Sequence, residues 1–260
     1  MRLSVFTPAH KAVTDLYDLF QSLVVQERLP DEWIVLLNGG LTEEAFWSLG
    51  IRKLPWVKPI QAPPDTPPGN IGFLKNYACS QATGDVFVEV DFDDMLTPDA
   101  LREILEGFLD PSVHFLYSNC VEFYENGNYR TFSPVYGWES RPYGAQRQCI
   151  AFPPKPQYMR RIEWAPNHVR AFRATSYNQL GGHDKTIVLG DDHELVCRFY
   201  LMYGEHGFKH IDKCLYLYKL HADNTSGHGN RVNEVQAQVA KNYIKYSEYM
   251  YMRWAYDNGL

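Results

Sequence analysis

Hydrophobic and polar positions in the first hundred residues follow two alternating periods. Short apolar runs at Leu3–Thr7, Trp33–Leu37 and Asp85–Val90 have the length and composition of buried strands. Apolar residues recur at helical spacing between the first two runs, and Asn70 can cap a helix that ends near Ala82. Strands that alternate with helices predict an α/β fold with a Rossmann-like, mostly parallel sheet flanked by helices.

Three other stretches depart from this alternation of buried strands and helices. Residues 59–69 are rich in proline and predict a loop. Residues 114–132 alternate around an Asn-Gly dipeptide and predict a β-hairpin that turns at residues 125–128. Residues 133–157 are rich in Pro, Tyr and Arg, and an irregular stretch of this length is usually functional or mobile.

The last third of the chain predicts a helix over Asp191–Tyr203 and one or two strands over Phe208–Leu220. Apolar and aromatic positions then recur by threes and fours to the end of the chain. This stripe predicts a C-terminal helix docked on the domain, with a homodimer or membrane-surface contact as the alternatives. We therefore predict an α/β domain over residues 1–228 and a C-terminal helical extension over 229–260 that packs on it.

Composition narrows the class of protein. The 260 residues carry a net charge of −6 with a pI near 5.8, which argues against a nucleic-acid-binding role. No apolar run is long enough to cross a membrane, and no signal-peptide pattern precedes the first strand, so we expect a cytoplasmic protein. The 5 cysteines are scattered without a Cys-x-x-Cys pair, which predicts reduced thiols in the core.

The strongest candidate for chemistry is the acidic turn after the third strand. Asp91, Asp93 and Asp94 follow directly on an apolar run, and like charges packed together repel unless a cation lies between them. Oxygen ligands of this kind suit Mg²⁺ or Mn²⁺. An acidic turn that only caps the next helix is the alternative, and the pattern alone leaves both interpretations open.

Other strand ends should lie near this turn. Thr7, Pro8 and Ala9 end the first strand, Asn38 ends the second, and Lys75 lies on the helix just upstream of the third. Because ligands of open parallel sheets bind beyond the carboxyl ends of the strands, these residues are candidates for holding a nucleotide diphosphate through the metal.

Five segments in register resemble the family 2 glycosyltransferases, which have the GT-A fold. They are Ser4–His10, Gly69–Asp85, Val90–Asp94, Leu180–Leu195 and Tyr218–Ser226. The resemblance implies an inverting transfer of a sugar from a nucleotide-diphosphate sugar, with UDP as the usual nucleotide, to the hydroxyl of a saccharide or other acceptor. It also implies the GT-A fold for the α/β domain, and the C-terminal helix predicted from the apolar stripe follows that domain.

The resemblance also implies roles for individual residues. Thr7, Pro8 and Ala9 would line the nucleoside pocket, and Asp91 would approach the ribose or the sugar. Asp93 would bind the metal, with His221 near the metal or the diphosphate. The catalytic base would be Asp192 of the pair Asp191 and Asp192. Asn38 departs from the family, which usually has an acidic residue there that reads the base of the nucleotide.

The proposed chemistry also follows from general principles. A divalent ion can stabilise the leaving diphosphate as a Lewis acid, and one carboxylate can take the proton of the attacking hydroxyl. Aromatic and arginine side chains in the irregular stretch suit a sugar acceptor, and Trp138, Arg141 and Trp164 are the candidates. A nucleotidyltransferase and a non-catalytic nucleotide- or sugar-binding protein are the competing hypotheses.

Overall fold

Buried apolar strands form the centre of the molecule, as the sequence pattern predicts. The computed structural model describes residues 1–11, 14–124, 126–130, 137–160, 165–221, 224 and 231–260. Its strands are β1 Leu3–Ala9, β2 Glu32–Leu37, β3 Val57–Gln61, β4 Val86–Glu89, β5 Met95–Leu96, β6 Phe115–Tyr124, β7 Ser140–Tyr143, β8 Gln146–Cys149, β9 Arg170–Arg173 and β10 Phe208–Leu220. Its α-helices are α1 Thr14–Val24, α2 Glu43–Ser48, α3 Ile71–Ser80, α4 Ala100–Gly107, α5 Pro156–Met159, α6 Ala174–Gln179, α7 Asp191–Tyr203 and α8 Val232–Asp257.

The strands form one mixed sheet in the order β3-β2-β1-β4-β9-β6-β10-β5. The first four are parallel to one another, and β6 is parallel to β10. Strand β9 runs antiparallel between β4 and β6, so the two parallel halves are joined through it. Strand β8 pairs with β6 beyond the end of β9, and β7 completes a hairpin with β8. The carboxyl ends of β1, β2 and β4 therefore meet at one edge, as predicted.

Each face of the sheet carries its own apolar core. Helices α1, α2 and α4 cover one face, where Phe20, Trp33 and Phe46 pack together. Helices α3, α6 and α7 cover the other, where Phe172 packs against Phe199. Burial of such side chains contributes roughly 1.5–3 kcal/mol each, so both helical layers are held mainly by the hydrophobic effect.

Three segments differ from the sequence predictions. Part of the predicted loop at 59–69 belongs to β3, where Pro59 is tolerated because β3 lies at the edge of the sheet and needs no N–H on its outer side. The stretch 133–157, predicted to be irregular, contains the hairpin of β7 and β8. Strand β6 turns at the predicted position and bridges to the returning chain between Phe123 and Tyr129, but along most of its length it pairs with β8, β9 and β10.

Helix α8 packs along α7 through polar contacts as well as apolar ones. The Asn242 side chain donates to the Gly190 carbonyl at 2.9 Å, and the Tyr246 hydroxyl donates to Glu194 at 2.6 Å. Met250 is fully buried against the core beneath. Residues 225–230 lie outside the described part of the chain, so the domain boundary at 228 stays a prediction, as does the homodimer.

Two predictions from composition can be compared with the structure. All five cysteines are buried as free thiols, as predicted. Among the helices of the described residues, none combines the length and apolarity needed to cross a bilayer.

We predict that Glu32 makes the stability of the fold depend on pH. Its buried carboxylate accepts from Ser4 at 2.6 Å and from Thr83, and it pairs with Lys58. Burial alone would raise the pKa of Glu32, but these partners outweigh burial and lower it to about 2. Because the unfolded value is about 4.3, this stabilisation is complete above about pH 5 and is lost as the pH falls towards 2.

Glu32→Gln should therefore lower the free energy of unfolding by about 2–3 kcal/mol at pH 7, and the difference from wild type should shrink below pH 4. Urea denaturation at a series of pH values measures this. Glu106→Gln, at a carboxylate whose side chain is 56% exposed, is the control and should be nearly neutral. An equal effect of Glu32→Gln at pH 3 and pH 7 would contradict the assignment.

Candidate active site

A cleft of about 1460 Å³ opens beyond the carboxyl ends of β1, β2 and β4. One wall is the loop over residues 62–69, and the opposite walls are the first turn of α7 and the end of β10. Val232 and Val235 at the start of α8 line a further side. The cleft is at the sheet edge where α/β proteins bind ligands, and it has room for a nucleotide and a second molecule.

The three carboxylates of the acidic turn have different surroundings, one buried and two facing the cleft. Asp94 is buried and accepts from the Tyr216 hydroxyl and from the Lys219 amide, each at 2.8 Å, so it ties the turn to β10. Asp91 and Asp93 line the cleft. Burial, together with the neighbouring carboxylates of Glu89 and Asp93, outweighs Lys75 and raises the pKa of Asp91 to about 7.

Asp93 and His221 are brought together although they lie 128 residues apart in the sequence. The imidazole Nε2 lies 2.8 Å from Oδ2 of Asp93, and this hydrogen bond raises the pKa of His221. The His221 amide donates to Asn224 at 2.6 Å, which fixes the backbone after β10. Within the described residues, no group of three or more His, Cys, Asp or Glu side chains is arranged to hold a metal.

The residues predicted to hold the nucleotide differ in how they face the cleft. Pro8 and Asn38 line it. The Thr7 hydroxyl is buried, where it donates to the Val90 carbonyl at 2.8 Å and accepts from Trp33. Ala9 is buried in the core, and its carbonyl accepts from the Asn38 side chain at 2.9 Å. The side chains of Thr7 and Ala9 therefore support the pocket from beneath.

Lys75 belongs to a buried charge cluster, which we define as Lys75, Glu89, Arg170, His183 and Asp191. Its Nζ lies 2.8 Å from Oε1 of Glu89 and 3.8 Å from Oδ2 of Asp191. Burial alone would lower the pKa of Lys75, but the carboxylates of Asp191 and Glu89 outweigh burial and raise it. Burial alone would likewise raise the pKa of Glu89, but Lys75, His183 and Arg170 hold it well below its usual range.

The paired aspartates at the start of α7 have different surroundings. The Asp191 side chain is 3% exposed, and its Oδ2 lies 3.6 Å from Nε2 of His183. Burial raises the pKa of Asp191. The Asp192 side chain is 23% exposed towards the cleft and lies 2.8 Å from Nη2 of Arg170. Burial alone would raise the pKa of Asp192, but Arg170 and Lys75 outweigh burial and lower it.

The structure does not bring Trp138 or Arg141, two of the residues predicted to contact the acceptor, into the cleft. Trp138 packs edge-on against Phe152 with ring centres 4.6 Å apart, at the margin of the core. Arg141 pairs with Asp212 on an exposed surface. Trp164 lies outside the described residues. An acceptor role for these residues stays a prediction that the described geometry does not support.

Sequence reasoning missed Glu89, Arg170 and His183. Glu89 carries a usable signal, because a carboxylate inside an otherwise apolar strand must find a buried partner. Arg170 and His183 carry no such signal, since they come from separate segments and meet Glu89 only when β9 inserts beside β4.

Comparison with known proteins gives relatives at low identity. No protein-family model matches the chain. A chondroitin synthase of Pasteurella multocida is 25% identical over 226 residues, which are 86% of this chain and 21% of that protein. A chondroitin synthase of Escherichia coli is 29% identical over 188 residues, which are 68% of this chain and 24% of that protein. The chain thus spans about a fifth to a quarter of the length of these relatives.

A crystal structure of Staphylococcus aureus TarS 1-349 in complex with UDP-GlcNAc superimposes with a TM-score of 0.64 at 16% identity. The match covers 93% of this chain and 66% of that chain. The TarS match confirms the α/β fold expected from the sequence, and the names of the relatives agree with the resemblance to family 2 glycosyltransferases.

We predict that Gly72 is required for α3 to pack closely enough to carry Lys75 to Asp191. The Gly72 amide donates to the Ile187 carbonyl, and a Cβ there would lie 2.3 Å from the Asp184 oxygen and 2.6 Å from the Ile187 oxygen. Gly72→Ala should therefore destabilise the protein by about 1–3 kcal/mol. In an open helix the same change would stabilise it by about 1 kcal/mol.

Urea denaturation measures the difference. Ser80→Ala, at an exposed position on the same helix, is the control and should leave stability nearly unchanged or slightly higher. A Gly72→Ala protein as stable as wild type would show that the two segments are not in close contact.

Proposed function

We propose that this chain is an inverting glycosyltransferase that moves a sugar from a UDP-linked donor to a hydroxyl acceptor. The proposal rests on one observation: two sets of functional side chains face the same cleft. Asp91, Asp93 and His221 lie on one side, and a partly exposed, ionised Asp192 lies on the other. The names of the relatives and the UDP-GlcNAc in the neighbouring TarS structure support a nucleotide-sugar donor.

Asp93 and His221 would hold the divalent ion. Their oxygen and nitrogen atoms are already 2.8 Å apart, and a carboxylate oxygen suits Mn²⁺ or Mg²⁺. When bound, such an ion supplies Lewis-acid stabilisation of the leaving diphosphate. Asp94 keeps the turn in place through Tyr216, so that Asp91 and Asp93 face the cleft without rearrangement.

Asp192 would take the proton of the acceptor hydroxyl as that hydroxyl attacks the anomeric carbon. A base must be ionised before it can accept a proton, and the cations of Arg170 and Lys75 lower the pKa of Asp192. The start of α7 adds a favourable field, because helix N-termini stabilise negative charge. Asp191 is enclosed in the buried charge cluster, which makes it a supporting residue and Asp192 the base.

Asn38 would contact the nucleotide base. Its side-chain amide group donates to the Ala9 carbonyl at 2.9 Å, and this bond leaves the side-chain oxygen as the acceptor available on the cleft side. Uracil carries an imino N–H donor on its pairing edge, so this orientation is compatible with UDP. A neutral amide is therefore able to do the task expected of an acidic residue.

We predict release of UDP from a UDP-sugar that depends on a divalent ion. The experiment is a panel of nucleotide sugars, including UDP-GlcNAc, tested with Mn²⁺ or Mg²⁺ and with chondroitin oligosaccharides as acceptors. EDTA should abolish release, and added Mn²⁺ should restore it. Release that ignores EDTA would remove the proposed role of Asp93 and His221.

Asp93→Ala is the matched variant for this experiment. It should lose the metal-dependent rise in melting temperature that UDP gives to the wild-type protein, because the carboxylate oxygen that faces the cleft is gone. Glu248→Gln, at an exposed carboxylate on the outer side of α8, should keep it. Unchanged thermal shifts in Asp93→Ala would contradict the metal assignment.

We predict that Asp192→Asn keeps donor binding and loses transfer. An amide has nearly the same shape as the carboxylate but cannot accept the proton, and loss of a general base typically costs 10²–10⁴-fold in rate. Isothermal titration of UDP-sugar and a turnover assay separate the two effects, with Glu248→Gln again as the control. Retained turnover would show that another group is the base.

A further inference from the structure

Arg170 is a buried arginine whose three guanidinium nitrogens each contact a different partner. Its side chain is 3% exposed, on a strand inserted antiparallel between β4 and β6. Nε donates to the Pro166 carbonyl at 3.3 Å, Nη1 lies 3.2 Å from Oε1 of Glu89, and Nη2 lies 2.8 Å from Oδ2 of Asp192. A planar guanidinium held at three corners has little freedom to rotate.

We infer that Arg170 is a positioning residue, which orients the Asp192 carboxylate for proton transfer through a guanidinium fork anchored on Glu89. The inference rests on the proposed function, because the orientation matters only if Asp192 is the base.

The contacts of Asp192 support this role. Its two oxygens are held separately, Oδ2 by Arg170 and Oδ1 by the amide of His193 at 2.7 Å. A carboxylate accepts up to about four hydrogen bonds, so lone pairs remain for the hydroxyl of an acceptor in the cleft. A base held at both oxygens cannot turn away from the acceptor, and a misplacement of 1 Å can cost on the order of 100-fold in rate.

Glu89 fixes the orientation of the Arg170 guanidinium. Its Oε1 is shared by Arg170 and by Lys75, at 3.2 and 2.8 Å. A lone arginine at this depth would be costly, since an unpaired buried charge loses several kcal/mol of hydration. Glu89 pairs with both cations and so compensates the buried charge of the Arg170 guanidinium. The other terminal nitrogen of that guanidinium, Nη2, then contacts Asp192.

The inferred role predicts a change in the pH profile. The charged groups around Asp192 are Arg170 on β9, Lys75 on α3, Glu89 on β4 and Asp191 beside it. The histidines His168 and His193 also lie near it. Arg170 is the cation in direct contact with Asp192. Removing its charge should raise the pKa of the base, and the acidic limb of the kcat profile should move to higher pH.

The test compares Arg170→Gln, which removes the charge, with Arg170→Lys, which keeps the charge but not the fork. Arg170→Gln should lower kcat on the order of 100-fold, leave the KM for the donor within about threefold, and move the acidic limb up by about one pH unit. Arg170→Lys should also lower kcat, with the acidic limb close to that of wild type. In an Asp192→Asn background, Arg170→Lys should have little further effect on turnover.

Arg173 on the same strand is the matched control. Its guanidinium donates to the carbonyls of Val113, Phe108 and Asp110. Arg173→Gln should therefore lower stability without changing the pH profile or the donor KM.

Arg170→Gln leaves Glu89 less well compensated, so Arg170→Lys, which keeps a cation beside Glu89, provides the second measurement if Arg170→Gln does not fold. Its kcat should still be lowered, with a donor KM within about threefold of that of wild type. Wild-type kcat and pH profile in these variants overturn the positioning role, and so does a rise in donor KM at unchanged kcat. A wild-type protein that releases no UDP from any donor overturns the proposed function, and this inference with it.

Discussion

The ion pair between Lys75 and Glu89 is the interaction on which the cleft depends. Neither side chain has enough contact with water to be stable alone, so each must keep its partner. The pair joins α3 to β4, and the same lysine lies close to Asp191 at the start of α7. One buried cation thus links α3 and the following strand β4 to α7, which comes about a hundred residues later in the sequence. The close approach of Gly72 to the segment before α7 makes this contact possible.

The site illustrates how one residue type takes several roles. Asp94 is fully enclosed and anchors the turn, Asp91 has a pKa raised to about 7, and Asp192 has a lowered pKa because Arg170 touches it. The chemistry of each carboxylate follows from its burial and the charges around it. In the proposed function, a base and a metal ligand are therefore built from identical side chains that lie in one cleft.

The structural comparison shows that the fold does not require close similarity in sequence. The TarS chain shares the fold at 16% identity, so the sheet and its helices tolerate wide change in sequence. Function depends instead on a few side chains at the strand ends, which is the usual relation between fold and activity. Helix α8 extends that scaffold, because Asn242 binds the carbonyl of Gly190 directly before the paired aspartates and so supports the first turn of α7.

The sequence by itself determined the alternating strands and helices, the cap at Asn70, the acidic turn and the paired aspartates, because periodicity and local motifs encode all of these. It also led to the edge of the sheet where the cleft lies, since parallel strands end together. Only the tertiary structure decided that Asp94 points inwards, that Trp138 and Arg141 lie away from the cleft, and that Glu89, Arg170 and His183 join Lys75. Asp94 is held by Tyr216 and Lys219 of β10. The contact of Arg170 with Glu89 depends on β9 inserting antiparallel beside β4, and a pairing between segments some eighty residues apart leaves no local trace in either one.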